Sequence, residues 1–216
     1  MSIVLFGASG NIGSNILREA LARGHRVTGV TRSSDLEPAA GLTALKADIA
    51  EADDVTKIVS GHDAVVSAFS PGLRRHAAED AADLIRKAHE ALFAGVARAG
   101  VRRIIIVGGV GSLEADPGVD VVDSDFYPVE HKAHTLRNRE ILRSLKRGEH
   151  DLDWTYVSPP LNIQAGVRTG TYRLGEDRLL RDAAGESRIS EADFAIAILD
   201  ELEKGQFIRR RFTAAY

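Results

Sequence analysis

The sequence predicts an α/β fold, a doubly wound parallel sheet with a small C-terminal hairpin and helix extension. Three observations carry that expectation. Short runs such as Ile3-Val4-Leu5-Phe6, Asp63 to Phe69 and Arg102 to Val107 are largely apolar, as strands covered on both faces are. Helical patterns alternate with them, the order that builds a parallel sheet. The first run empties into Gly7-Ala8-Ser9-Gly10-Asn11-Ile12-Gly13, and a helical pattern opens inside that loop. The 216 residues suit one domain, residues 1–216, in which about 160–216 form a small lobe.

The first strand ends at Gly7, which lets the chain turn sharply. Gly10 has no Cβ, so backbone can approach a pyrophosphate, and Gly13 lets the next helix pack close to the strand. That helix has apolar residues at Ile12, Ile16, Leu17, Ala20 and Leu21 and stops at Gly24. Its first amides lack internal partners and carry partial positive charge, which suits an anion, and Ser9 adds a hydroxyl donor. The spacing is G-x-x-G-x-x-G, not G-x-G-x-x-G, but strand, glycine turn and helix is the context a dinucleotide fingerprint needs. The alternative is a turn that is merely tight.

His25 to Thr31 reads as the second strand. An acid after it would bind a ribose 2′-hydroxyl and select NAD. The chain has Arg32-Ser33-Ser34 there, and a guanidinium with hydroxyls suits a 2′-phosphate, so NADP(H) is preferred over NAD(H). The alternative is a plain surface arginine, with Asp35 reaching the ribose. Leu42 to Ala47 is the third strand. Asp48 at its end either meets an adenine amino group or caps the short helix Asp53 to Ser60. Asp63 to Phe69 is the fourth strand, followed by the turn residues Ser70-Pro71-Gly72 and a helix from about Ala77 to Ala99. His76 and His89 read as ordinary helix residues, and no metal site is expected.

Arg102 to Val107, the fifth strand, runs into Gly108-Gly109-Val110-Gly111-Ser112. Leu113 to Phe126 carries five acids and reads as a loop over the carboxyl edge of the sheet, either solvated or shaping a pocket. Tyr127-Pro128 begins a helix to about Lys146. Asp153 to Val157 is the sixth strand, with Trp154 in the core. Thr171 to Leu174 and Arg178 to Arg181 alternate around Gly175-Glu176-Asp177 as a hairpin. Ser190 and Asp193 have capping-box spacing, with Asp in place of Glu, for a helix to about Lys204. Phe207 to Thr213 is a last strand whose Arg209, Arg210 and Arg211 read as an exposed charged edge.

Net charge is −3 and no run approaches membrane-span length, so neither nucleic acid nor a membrane is an expected partner. The absence of Cys excludes disulfides, thiolate catalysis and Cys-ligated zinc. The chain enters its first strand directly, which leaves no room for a signal peptide and makes a cytoplasmic location the expectation.

These stretches together resemble an atypical short-chain dehydrogenase/reductase with a Rossmann-like fold, in the NmrA-like NAD(P)H-binding branch. Within it the chain is most similar to the bacterial NADH-flavin reductase group, related to biliverdin-IXβ/flavin reductase. The likeness lies in G-A-S-G-N-I-G at Gly7 to Gly13, V-T-R after the second strand, V-G-G-V-G-S-L-E at Val107 to Glu114 and L-D-W-T-Y-V-S-P at Leu152 to Pro159. It continues through T-G-T-Y-R-L-G, G-E-S-R-I-S-E-A-D-F-A and the final R-F-T-A-A-Y. The resemblance implies that Ser9, Gly10, Asn11 and Ile12 hold the pyrophosphate and that Arg32 and Ser33 hold the adenosine phosphate. It further implies that Asp48 and Ile49 flank the adenine, and that Ala68, Phe69 and Ser70 line the path to the ribose. Gly108, Gly109 and Ser112 border the nicotinamide, and Pro159 and Leu161 close over it.

One departure bears on the chemistry. Typical members carry Tyr-x-x-x-Lys, preceded by a Ser. Here Tyr127 is followed four residues later by His131, and Lys132 is five away. The usual pair is therefore absent, and Ser112, Tyr127 and His131 remain as the candidate catalytic residues, with Lys132 beside them. His131 is either a proton donor near neutrality or a surface histidine. Reducing a ketone needs a positioned acid, whereas a flavin delocalises the charge that hydride brings. The expected function is an NAD(P)H-dependent oxidoreductase that passes hydride to a small planar acceptor: a flavin as substrate, a quinone or a tetrapyrrole. Residues from about 160 onward supply its substrate side, and the protein is a monomer or homodimer. The rival is a redox sensor that binds NAD(P)(H) without turnover and regulates a protein partner; an isomerase or dehydratase is a third, weaker reading.

Overall fold

The computed structural model describes residues 1–71 and 78–216; Gly72, His76 and the expected helix start at Ala77 lie outside them. The strands of the main sheet are β1 (Ser2–Phe6), β2 (Arg26–Thr31), β3 (Leu42–Lys46), β4 (Ala64–Ser67) and β5 (Arg103–Val107) from the first half. Two short strands, β6 (Glu114–Asp116) and β7 (Val119–Asp120), pair with each other as a separate two-stranded sheet. Then come β8 (Asp153–Ser158), β9 (Asn162–Gln164), β10 (Arg173–Gly175), β11 (Arg188–Ser190) and β12 (Arg210–Ala215). The main sheet has the order β10-β12-β8-β5-β4-β1-β2-β3, parallel throughout except for β10. The helices are α1 (Asn11–Ala22), α2 (Ala52–Val59), α3 (Ala78–Arg98), α4 (Lys132–Lys146) and α5 (Glu191–Lys204). None is long and apolar enough to cross a membrane among the described residues.

The sheet separates two cores because its inner strands alternate apolar residues between both faces. On one face Val4, Phe6, Val65, Ile104 and Ile106 meet Val55 and Val59 of α2, Ile85, Leu92 and Val96 of α3, and Ile141 and Leu145 of α4, with Trp154 buried among them. On the other face Ile3, Leu5, Val66, Ile105 and Phe212 meet Ile16 and Ala20 of α1 and Phe194, Ile198 and Leu202 of α5. This is the doubly wound fold the sequence predicts. β1 pairs with β2 on one side and β4 on the other, so the strand order reverses beside it. In such sheets ligands bind at that reversal, outside the carboxyl ends of the strands.

Four expectations need correction. First, Thr171 to Arg181 is not a hairpin. Arg173–Gly175 pairs antiparallel with β12, while Arg178 bridges to Glu114. The open side of β12 takes the first arm, and the second follows the backbone of β6, where Leu179 N donates to Glu114 O at 2.9 Å. Second, the arginines at 209–211 are not all an exposed edge. β12 lies inside the sheet between β8 and β10, and Arg211 is buried, with bonds to the Ser112 carbonyl and to Asp177. Third, the acidic segment after Leu113 is not simply solvated: it folds as the β6–β7 pair, turning at Gly118 (φ 78°), and plants Leu113, Val121 and Val122 in the interior. Fourth, α4 starts at Lys132, after a single tight turn at Val129–His131, so Tyr127 precedes the helix.

Candidate active site

The glycine loop does what its residue types require. Gly7 has φ 78°, and a Cβ there would stand 2.6 Å from the Ala68 carbonyl oxygen. A Cβ on Gly13 would stand 2.0 Å from the Gly7 carbonyl oxygen, so the closeness of α1 to the loop depends on its absence. Gly7 N and Ala8 N both donate to Val30 O, at 3.0 and 3.2 Å, which ties the loop to β2. Gly10 is the N-cap of α1. It offers no side-chain acceptor, and the first turn of α1 contains no acid. The amides there stay available to an anion, and the helix dipole favours one.

This helix start faces a cleft of about 570 Å³ at the carboxyl edge of β1, β2, β3 and β4. Twelve of the residues proposed for the cofactor line it: Gly7, Ser9, Gly10, Asn11, Ile12, Arg32, Ser33, Asp48, Ile49, Ala68, Phe69 and Ser70. Gly13 lies beneath the loop rather than on the wall. Arg32 is exposed and makes no hydrogen bond or ion pair among the described residues, so its guanidinium is available to a ligand. Asp35, the other group considered for the ribose, is bound by Lys46 at 2.6 Å. Asp48 is not the cap of α2; that position is Glu51. The Asp48 carboxylate instead accepts from Ala50 N at 3.0 Å, which steadies a turn on the wall of the cleft.

The other residues expected at the cofactor, Gly108, Gly109, Pro159 and Leu161, do not line this cleft; they follow the carboxyl ends of β5 and β8. A Cβ on Gly108 would fall 1.9 Å from Cζ of Tyr156, whose ring lies directly beneath. Gly109 N donates to Tyr156 Oη at 3.3 Å, and that hydroxyl donates to Asn138 O at 3.0 Å. Tyr156 is fully buried, and burial drives its pKa upward, so it stays a neutral support under the turn. Ser112 is also buried. Its carbonyl and its hydroxyl both accept from Arg211, the hydroxyl at 3.2 Å. This bond ties the Ser112 side chain to β12.

Val110, Tyr127 and Leu161 pack together against Leu113, Val121 and Leu179, forming an apolar wall beside the Gly108–Ser112 turn. Pro159 is half-buried where β8 ends. Tyr127 Oη lies 2.7 Å from Thr135 Oγ1, and burial holds its pKa above the usual phenol value, with the Thr135 bond opposing the rise. His131 is exposed, and its side chain makes no hydrogen bond among the described residues. The Lys132 ammonium likewise makes none, so no Tyr–Lys pair forms among the described residues. No three of His, Asp and Glu among the described residues come together as a metal-holding group.

Sequence reasoning missed four residues here: Thr135, His134, Tyr156 and Arg211. For Tyr156 and Thr135 the glycines Gly108 and Gly111 are a signal, because they mark side chains that press against the turn; His134 and Arg211 carry none. Gly111 meets Thr135 and Gly108 meets Tyr156.

A family of NAD(P)H-binding domains matches residues 7–204. The Bacillus subtilis protein YwnB, itself uncharacterised, is 36% identical over 218 residues, which cover 99% of this chain and 97% of YwnB. A crystal structure from Burkholderia pseudomallei, provisionally described as an exported protein, is 41% identical with a TM-score of 0.87 and covers 100% of both chains. One from Streptococcus pneumoniae, provisionally described as an NADH-flavin reductase, is 33% identical with a TM-score of 0.85, covering 100% of this chain and 99% of that one.

Proposed function

The chain belongs to the NAD(P)H-binding family, and on that premise we propose that it is an NADPH-dependent reductase that passes hydride to a flavin or a similar planar acceptor. The observation that carries this reading is the start of α1, uncapped and free of acid, opening on a cleft whose far wall presents an unpaired Arg32. A dinucleotide with a 2′-phosphate fits those groups: pyrophosphate at the helix amides and Ser9, the added phosphate at Arg32 and Ser33. Phe69, Ile49 and Asp48 border the adenosine, and Ala68 and Ser70 lead toward the ribose. The bound dinucleotide supplies a hydride from its nicotinamide ring.

The protein's own residues orient and shield that ring. Gly108 and Gly109 would present bare backbone to it, with Tyr156 holding their turn from below, and Pro159 and Leu161 would close over it. The wall of Val110, Tyr127 and Leu161 offers apolar surface on which a flat acceptor stacks, which excludes water from the transfer. The lack of a Tyr–Lys pair favours an acceptor that spreads the incoming charge over its rings. The acceptor is this reading's partner, and neither nucleic acid nor a membrane takes part in it.

The test is NADPH and NADH oxidation followed by loss of reduced-nicotinamide absorbance, with FMN, riboflavin or a quinone added, beside a calorimetric titration of NADPH. Acceptor-dependent oxidation, faster with NADPH, is the expected result. Tight binding without turnover on any acceptor overturns the reductase reading in favour of a redox sensor with a protein partner.

A further inference from the structure

We propose that Tyr127, Thr135 and His134 form a proton line into the acceptor side of the site, in which the Tyr127 hydroxyl touches the acceptor and Thr135 and His134 position and replenish it. The inference rests on the reductase reading above and extends it to the source of the second hydrogen.

The geometry is continuous. Tyr127 Oη lies 2.7 Å from Thr135 Oγ1, and Thr135 Oγ1 lies 3.2 Å from His134 Nε2. The phenol sits in the same apolar wall as Val110 and Leu161, beside the turn assigned to the nicotinamide. Thr135 is buried and fixed from behind. A Cβ on Gly111 would stand 1.9 Å from Thr135 Cγ2, so the glycine makes the space that the threonine methyl occupies. The far end of the line is a buried atom without a partner, His134 Nδ1. Buried polar atoms are almost always bonded, so an orphan at the end of a hydrogen-bonded chain calls for a functional account.

The charged surroundings suit that task. The exposed His131 ring stands edge-on to His134, 5.7 Å between centroids. Asp120 and Asp123, from the neighbouring segment, are both taken by Arg139. Burial first, and His131 second, keep the His134 pKa below the usual imidazole value, so it is neutral near pH 7, with one nitrogen to give a proton and one to take it.

The step balances as follows. Hydride brings the acceptor two electrons and one hydrogen, leaving an oxygen or nitrogen that needs a proton. The Tyr127 O–H bond breaks and its proton joins that atom. The Thr135 hydroxyl proton moves to the Tyr127 oxygen, the His134 Nε2 proton moves to the Thr135 oxygen, and one proton from solvent, admitted beside the exposed His131 ring when the His134 ring moves, joins Nδ1. All three side chains end neutral, His134 in its other tautomer, and no electrons pass through them. Such a line serves an acceptor with a carbonyl oxygen or ring nitrogen in reach of Tyr127, as a quinone or a flavin has.

The test uses Tyr127→Phe, Thr135→Val and His134→Gln with two readouts. With a quinone as acceptor, Tyr127→Phe is expected to lower kcat roughly 100-fold, the span of one general acid, with unchanged NADPH affinity. Thr135→Val and His134→Gln are expected to lower it less and to shift the pH profile. The second readout needs no turnover: imidazole nitrogen NMR of His134 in the protein alone. Its Nε2–H tautomer is expected to dominate, to lose population in Thr135→Val, and its pKa to rise in His131→Gln. Wild-type turnover that all three variants retain, or His134 signals indifferent to Thr135→Val, overturns the proton line and leaves the reductase reading standing. Failure of the wild type to oxidise NADPH with any acceptor overturns the reductase reading, and the proposed role with it.

Discussion

Two helices, α1 and α5, pack side by side on one face of the sheet, and their N-termini are built in opposite ways. At α5, Ser190 Oγ accepts from Asp193 N at 3.0 Å, and the first turn carries Glu191 and Asp193. Asp193 accepts from Thr169 N, Thr169 Oγ1 and Gly170 N at 2.6–2.8 Å, and from Tyr216 Oη at 2.7 Å. The Asp of this capping box does not bond Ser190 N itself; the Tyr216 hydroxyl, which accepts from Ser190 N at 3.1 Å, bridges the two. At α1 the cap is a glycine, no acid follows, and the space beyond is a cleft. Every helix start has the same orphan amides and the same dipole. The chain supplies its own anion and hydroxyls at α5 and withholds them at α1, whose bare start opens on the cleft and so suits a ligand.

The largest expected effect comes from making α1 resemble α5. Gly10→Asp sets its Cβ in tight contact with Gly7 O, at 3.3 Å, which a shift of a few tenths of an ångström relieves, and places a carboxylate over the amides. NADPH affinity in a calorimetric titration is expected to fall at least about 100-fold, while the melting temperature holds, because a local acid at a helix start is itself stabilising.

Opening α5 acts on stability instead. Asp193→Ala removes the buried acceptor shared by Thr169, Gly170 and Tyr216 and is expected to cost about 2 kcal/mol in urea unfolding, with no change in affinity per folded molecule. The pH dependence follows from the same bonds. Burial raises the Asp193 pKa, but hydrogen bonds from Thr169, Gly170 and Tyr216 outweigh it and hold the carboxyl below its usual value. A depressed carboxyl pKa stabilises the fold above the unfolded value, about 3.9, and that share is lost as pH falls through the folded one. Wild type is therefore expected to lose stability below about pH 4 more steeply than Asp193→Asn, measured by unfolding across that range.

Arg32→Glu sharpens the comparison at the other end of the cleft. It is expected to weaken NADPH roughly 10- to 100-fold and NADH only slightly, since one charge-assisted phosphate contact is at stake. Equal losses for both would remove Arg32 from the 2′-phosphate. The smallest effect is Ser190→Ala, expected to cost about 1 kcal/mol of stability as an ordinary cap does, with cofactor affinity untouched.

The α1 side was legible in the sequence because local rules govern it. Glycines at Gly7, Gly10 and Gly13 between a strand and a helix leave few other geometries, and Arg32 stands at a fixed offset beyond the second strand. Ser190 and Asp193 were legible as a cap for the same reason, although the four-donor cradle around Asp193 joins segments over 20 residues apart and was not. The acceptor side was harder to read because it is assembled from distant pieces. Arg211 looks like its neighbours Arg209 and Arg210 until β12 is seated between β8 and β10, which puts it against Ser112. Arg173–Gly175 looks like one arm of a hairpin until β12 offers it an edge. Thr135 and His134 carry no motif, and only contact with Gly111 and Tyr127 gives them meaning.

The most direct test of the contrast between the two helix starts is a backbone amide NMR titration of the wild-type protein with NADPH. The account predicts large shifts at Asn11, Ile12 and Gly13, with Arg32 and Ser33 following, and none at Glu191, Ala192 or Asp193. Silent amides at the start of α1 under saturating NADPH would contradict it.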